Sequence, residues 1–123
     1  MRNSKRLMQQ EDAELLQLLK DYRAVEMQAV KYSQNGDFKQ GLRFLYISLL
    51  LFLNEKNVIK INKSKTNRQY LTEIKASGLK QYELMVSFTR EFNQCWYGSK
   101  KALMLDFEMW YGKYVQFLRE VGE

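Results

Sequence analysis

The chain has 123 residues, a net charge of +6, 46% hydrophobic and 28% charged residues, no proline, no histidine and one cysteine, Cys95. That length suits a single domain that buries roughly two-thirds of its unfolded surface. The cysteine and histidine counts exclude an intrachain disulfide, a zinc site built on several Cys or His ligands, and a Cys-His or Ser-His catalytic pair.

The chain opens on Arg2, Lys5 and Arg6, and residues 1–8 read as a basic, flexible lead-in. A polar, acidic segment follows, so no signal peptide is visible. The first helix is predicted from near Gln9 or Asp12 to about Ser33. Leu15, Leu18, Leu19, Tyr22, Val25, Met27, Ala29 and Val30 recur largely at three- and four-residue spacing and form its apolar stripe. It is one helix or two, with the polar Asp21 to Arg23 stretch as the place for a kink.

Asn35-Gly36-Asp37 is a stop and a restart. Gly36 can take the left-handed conformation that ends a helix, and Asp37 can cap the next. The second helix, Phe38 to about Glu55, is apolar nearly all round from Leu42 to Leu53, which predicts a central place in a bundle. That run is 12 residues long, whereas a membrane helix needs about 20. Ala29 through Tyr46 reads as one tetratricopeptide-like helix pair. A solenoid needs about three such repeats, so a local hairpin is expected.

Asn54 to Lys65 is a connector in which Val58-Ile59-Lys60-Ile61 alternates and could be extended. Thr66 with Gln69 three residues on matches a capping box and starts the third helix. Its inward residues are Tyr70, Leu71 and Ile74, and Ser77-Gly78 closes it. The fourth helix runs from about Lys80 to Tyr97 on a stripe of Met85, Phe88, Phe92 and Cys95 or Trp96, and Gly98 terminates it. The fifth, about Lys101 to Val121, carries Leu103, Phe107, Trp110, Tyr114, Phe117 or Leu118, and Val121. These segments predict an all-α fold: a single compact bundle of about five helices, one domain over 1–123, with one tetratricopeptide-like hairpin.

Candidate interaction residues come from charge and exposure. Lys56, Lys60, Lys63, Lys65 and Arg68 form a basic group with no acid among them. A solvated loop is the plainer reading of them; beyond it they could meet an anionic lipid surface or, with less support, nucleic acid. Arg68 is the best of the group, because its guanidinium is a rigid bidentate donor. Thr66 and Gln69 are read first as a helix start. Trp96 is read as packing at the end of the fourth helix, and Cys95 as a small buried hydrophobe. Tyr97 is a possible aromatic contact. Tyr111 lies off the main stripe, where an exposed contact would first show. No cofactor or metal is expected. Glu73, Glu83 and Asp106 are the acids an enzyme would need, but no pair of them stands out from ordinary helix surface. The aromatics fall on apolar stripes rather than between cations, which argues against nucleic acid.

The order of several pieces resembles a known family. They are Gly36-Asp37-Phe38, Leu42-Arg43-Phe44-Leu45-Tyr46, Leu49 to Leu53, Lys65-Thr66-Asn67-Arg68-Gln69-Tyr70-Leu71, and Phe88-Thr89-Arg90-Glu91-Phe92 leading to Trp96-Tyr97-Gly98. Over about residues 24–98 the chain is similar to the C-terminal domain of bacterial transglutaminase-like membrane proteins, the domain of unknown function 4129. Gln69 departs from the glutamate expected there, and the terminal helix is longer and more aromatic than the family's. The resemblance implies a domain on the cytoplasmic side of a membrane protein, following a transmembrane helix, with a MoxR-type ATPase as a gene neighbour and possible partner. It implies no catalytic residue here, since the transglutaminase chemistry belongs to a separate Cys-His-Asp domain. The expectation is therefore a non-enzymatic interaction or scaffolding domain with a protein partner. A small basic nucleic-acid-binding protein is the alternative.

Overall fold

A computed structural model describes Leu15 and residues 21–122. The basic lead-in with Arg2, Lys5 and Arg6, the helix start near Gln9 or Asp12, and Leu18 and Leu19 lie outside the described residues. Five helices follow one another: α1 (Tyr22–Gln34), α2 (Phe38–Glu55), α3 (Asn67–Ser77), α4 (Tyr82–Trp96) and α5 (Met104–Val121). No strand occurs among the described residues. The all-α bundle is therefore as expected.

Of the two readings of the first helix, the structure takes the break. Asp21 is extended (φ −104°, ψ 106°), and its carboxylate accepts from the Arg23 N–H at 2.9 Å, so α1 starts at Tyr22. Val25 and Ala29 face the core, one turn apart. Met27 does not join the predicted stripe and is 63% exposed. Two residues along a helix turn the side chain by about 200°, which places Met27 opposite Val25.

Gly36 has φ +80°, and the Asp37 carboxylate accepts from the Gln40 N–H at 3.2 Å, so the predicted stop and restart is real. The turn folds α1 back against α2. Every residue from Leu45 to Leu53 is buried, and α2 packs against α1, α4 and α5. Gly41 permits a close approach of α1 and α5 to α2. A Cβ there would lie 3.0 Å from the Phe107 ring and 3.3 Å from the Ala29 carbonyl oxygen.

The connector after α2 is irregular rather than extended. Asn57 takes a left-handed φ of 63°, which Asn tolerates better than most residues. Ile59 is buried, and the Asn54 side chain accepts from the Ile61 N–H at 2.9 Å. The Tyr70 hydroxyl accepts from Asn62 N–H at 3.2 Å and donates to Asn62 C=O at 3.1 Å. Side chains thus satisfy backbone groups that a strand partner would otherwise have taken.

Helix α5 begins later than predicted. Leu103 lies before it, 53% exposed, and is not part of the buried stripe. Its N–H donates to the Asp106 carboxylate at 2.9 Å. Leucine has no side-chain oxygen to return the bond, so only half of a capping box forms. From Phe107 onward the stripe is buried as expected: Phe107, Trp110, Tyr114, and both Phe117 and Leu118.

Candidate functional site

The α3–α4 hairpin builds the candidate site. The capping box predicted at its start is present: the Gln69 N–H donates to Thr66 Oγ1 at 3.3 Å, and the Thr66 N–H donates to Gln69 Oε1 at 2.7 Å. Gly78, left-handed at φ +77°, ends α3. The chain then reverses into α4, whose buried stripe of Met85, Phe88, Phe92 and Cys95 faces the core. The opposite edge of α4 runs beside α3. Asn67 Nδ2 approaches Asn93 Oδ1 to 3.5 Å, and Lys75 Nζ lies 5.9 Å from the Tyr82 ring centre. The start of α3 therefore meets the end of α4, and the reverse holds at the other end.

Between the two helices lies an open groove of about 460 Å³, lined by Leu71, Val86, Thr89, Arg90, Asn93, Gln94 and Gly98. Thr89 is buried, and its hydroxyl lies 2.9 Å from the Tyr46 hydroxyl, tying the groove floor to α2. Leu71 and Val86 give that floor its apolar part, and Arg90 is the one charged residue in the lining.

The predicted site residues divide among different jobs. Lys60, Lys63 and Arg68 are exposed. Lys65 is not free: Nζ sits 2.8 Å from the Glu73 carboxylate and donates to the Lys60 carbonyl at 2.6 Å. Glu73 also accepts the Lys60 N–H at 3.0 Å. Burial alone would raise the Glu73 carboxyl, but the bonds from Lys65 and Lys60 and the Lys65 charge hold it below its ordinary value. The basic group is therefore a clasped loop with separate exposed cations, not one continuous patch. Only Arg68 sits on α3, three residues before Leu71.

Gly98 lines the groove and is needed for close approach: a Cβ there would lie 2.8 Å from the Gln94 carbonyl oxygen. Trp96 is half-buried, with Lys39 Nζ at 4.8 Å and Arg43 Cζ at 4.6 Å from its ring centre. It anchors the end of α4 to α2 through stacked cations as well as apolar contact. Tyr97 packs edge-on to Phe92 at 6.1 Å.

Tyr111 is not the exposed contact that its place off the stripe suggested. It is half-buried, and its hydroxyl donates to Glu26 at 2.8 Å. Burial first, and then the Glu26 hydrogen bond and charge, push the phenol up to about 12. Tyr114 donates to the same carboxylate at 3.2 Å and lies 2.6 Å from the Ser48 hydroxyl. Ser48 also donates to the Tyr22 carbonyl at 2.8 Å, so one polar network joins α1, α2 and α5.

Cys95 is buried as expected. Burial, then the charge and hydrogen bond of Glu91, push its thiol up to about 11, so it stays protonated at neutral pH. Glu91 is itself held by Lys100 at 2.7 Å. Two of the three acids an enzyme reading would need, Glu73 and Asp106, are occupied by the clasp and the α5 cap. The described residues contain no group of three potential metal ligands.

Val86, Arg90 and Gln94 are the groove residues that sequence reasoning passed over as interaction candidates. Their signal was present: each lies off the Met85, Phe88, Phe92 stripe, and all share one face at four-residue spacing. Among the described residues, no helix is long and apolar enough to cross a membrane. No family model, no curated protein and no solved structure matches this chain.

Proposed function

We propose that this chain is a protein-interaction domain that receives a partner segment in the α3–α4 groove. It would work as a non-enzymatic scaffold at the cytoplasmic face of a bacterial membrane protein. The observation that carries the reading is the groove itself. Leu71 and Val86 offer apolar surface in a concave site, and Arg90 supplies orientation within it. The rest of the molecule holds this site rigidly, through Tyr46 below and the capping box at one end.

The membrane setting rests on the resemblance over residues 24–98 and on Arg2, Lys5 and Arg6, which fit the positive flank of a membrane span. A MoxR-type ATPase is the partner the resemblance puts forward. A photocrosslinking residue at Gln94, on the groove wall, should capture one defined protein in cells. The same residue at the exposed Glu108 of α5 should not. Equal capture at both positions refutes the docking site. Recovery of the full gene product wholly in the soluble fraction refutes the membrane setting.

A further inference from the structure

On the reading that the groove is the docking site, we infer that its occupant is an acidic amphipathic segment of the partner. An apolar side chain of that segment seats between Leu71 and Val86, and its carboxylates meet Arg68 and Arg90.

The floor argues for the apolar anchor. Leu71 and Val86 are half-buried with their free faces in the groove, and the Thr89 hydroxyl is already committed to Tyr46. The charge argues for the acids. Arg90 is the one charged lining residue, and Arg68 stands one turn before Leu71 on the same side of α3. The Asn67–Asn93 approach brings that first turn of α3 to the end of the groove formed by Asn93, Gln94 and Gly98. Arg90 thus lies within the concave apolar site, and Arg68 lies on the turn of α3 that borders its Asn93 end. Among the described residues, neither is engaged by a carboxylate.

The chain's nearby acids are spent elsewhere, Glu73 on Lys65 and Glu91 on Lys100. The remaining one, Glu83, lies one turn before Val86, beyond the other end of the lining. It repels an acid there and gives the site a polarity: acidic residues of the partner belong toward Arg90 and Arg68, away from Glu83. A guanidinium binds a carboxylate with two parallel hydrogen bonds, so this pair selects acids by geometry as well as charge. A phosphate backbone or a lipid surface would instead call on cations spread along an open face. The exposed Lys60 and Lys63 lie in the connector, outside the groove.

The test uses the whole chain and a fluorescein-labelled synthetic peptide repeating Glu-Glu-Leu, followed by anisotropy at about 0.15 M ionic strength. Binding should perturb the backbone amides of Leu71, Val86, Gln94 and Gly98. The double variant Arg68→Glu/Arg90→Glu should weaken it about tenfold or more. Lys60→Glu/Lys63→Glu makes the same change in net charge and should leave affinity within about twofold, since those lysines are outside the groove. All four positions are exposed, and circular dichroism checks that both variants fold. Three results overturn the inference: equal losses in the two double variants, equal binding of a peptide repeating Lys-Lys-Leu, or groove-dependent binding of duplex DNA or phosphatidylserine vesicles in place of the acidic peptide. If the peptide fails while crosslinking at Gln94 still captures a partner, the acidic identity falls and the docking site stands. If both fail, both fall.

Discussion

Replacing Tyr114 by phenylalanine removes one oxygen atom from the centre of the network that joins α1, α2 and α5. The ring is fully buried and keeps its stacking on Tyr111 at 6.1 Å, so the substitution isolates the hydroxyl. That hydroxyl has two partners: Ser48 at 2.6 Å, and the Glu26 carboxylate at a longer 3.2 Å. With the Ser48 proton on the Tyr22 carbonyl, the single phenolic proton serves one of them at a time, so the substitution removes one donated hydrogen bond, worth about 1 kcal/mol net to a neutral group and about 1.5 kcal/mol to a charged one. Neither partner is orphaned, because Ser48 still donates to the Tyr22 carbonyl and Glu26 still accepts from Tyr111. The full penalty for a buried unpaired group therefore does not apply, and about 1.5 kcal/mol is expected. For a chain of this length that is a fall of about 6 °C in the unfolding midpoint. Urea denaturation followed by circular dichroism should show a lower midpoint with an unchanged slope. In a cycle with Ser48→Ala, the two losses should fall short of additivity by about 1 kcal/mol. A cost below about 0.5 kcal/mol, or strict additivity, would show that the contacts do not act as a network.

The same network sets the alkaline limit. The folded-state value of Tyr111 is raised to about 12 and that of Tyr114 is raised further, so the native state holds protons that the unfolded chain releases. Their contribution is complete below the ordinary tyrosine value of 10.0 and declines as pH rises toward the folded value. Stability measured from pH about 9 to 11.5 should fall less steeply in Tyr111→Phe than in the parent. Glu73 has the opposite sign, since its folded value is lowered: its contribution is present above the ordinary carboxylate value and is lost as pH falls through the folded one. Glu73→Gln should cost only about 0.5–1 kcal/mol at neutral pH, because the pair is partly solvated, and should flatten the acid limb of the stability curve. Thr66→Ala should cost about 1 kcal/mol by chemical denaturation, and Thr66→Ser should restore most of it. A thiol reagent at pH 8 should label Cys95 in the folded protein far more slowly than in urea, and equal rates would contradict both its burial and its raised value.

Helices α2 to α5 were legible because each periodic apolar run coincides with local signals. Thr66 and Gln69, Gly36 and Asp37, and Gly78 all act within four residues along the chain, and each holds the expected role in the structure. Met27 and Leu103 were misplaced because apolar character alone does not say which way a side chain points. Met27 falls two residues from Val25, and Leu103 falls at the N-cap of α5, outside the helix proper. Tyr111 was legible as lying off the stripe. Its partner, Glu26, is 85 residues away in the chain, and no local pattern couples them.

The sequence by itself determined the all-α class, the order of the helices, the caps that start α2 and α3 and the buried α2. Those properties follow from hydrogen bonding and burial over a few neighbouring residues. Only the tertiary structure decided which cations are free. Lys65 turns back onto Glu73, while Arg68 stays exposed on α3 and Arg90 lines the groove between α3 and α4. Charge is a property of a residue, but its availability depends on which segments meet, and that is set by how the helices pack.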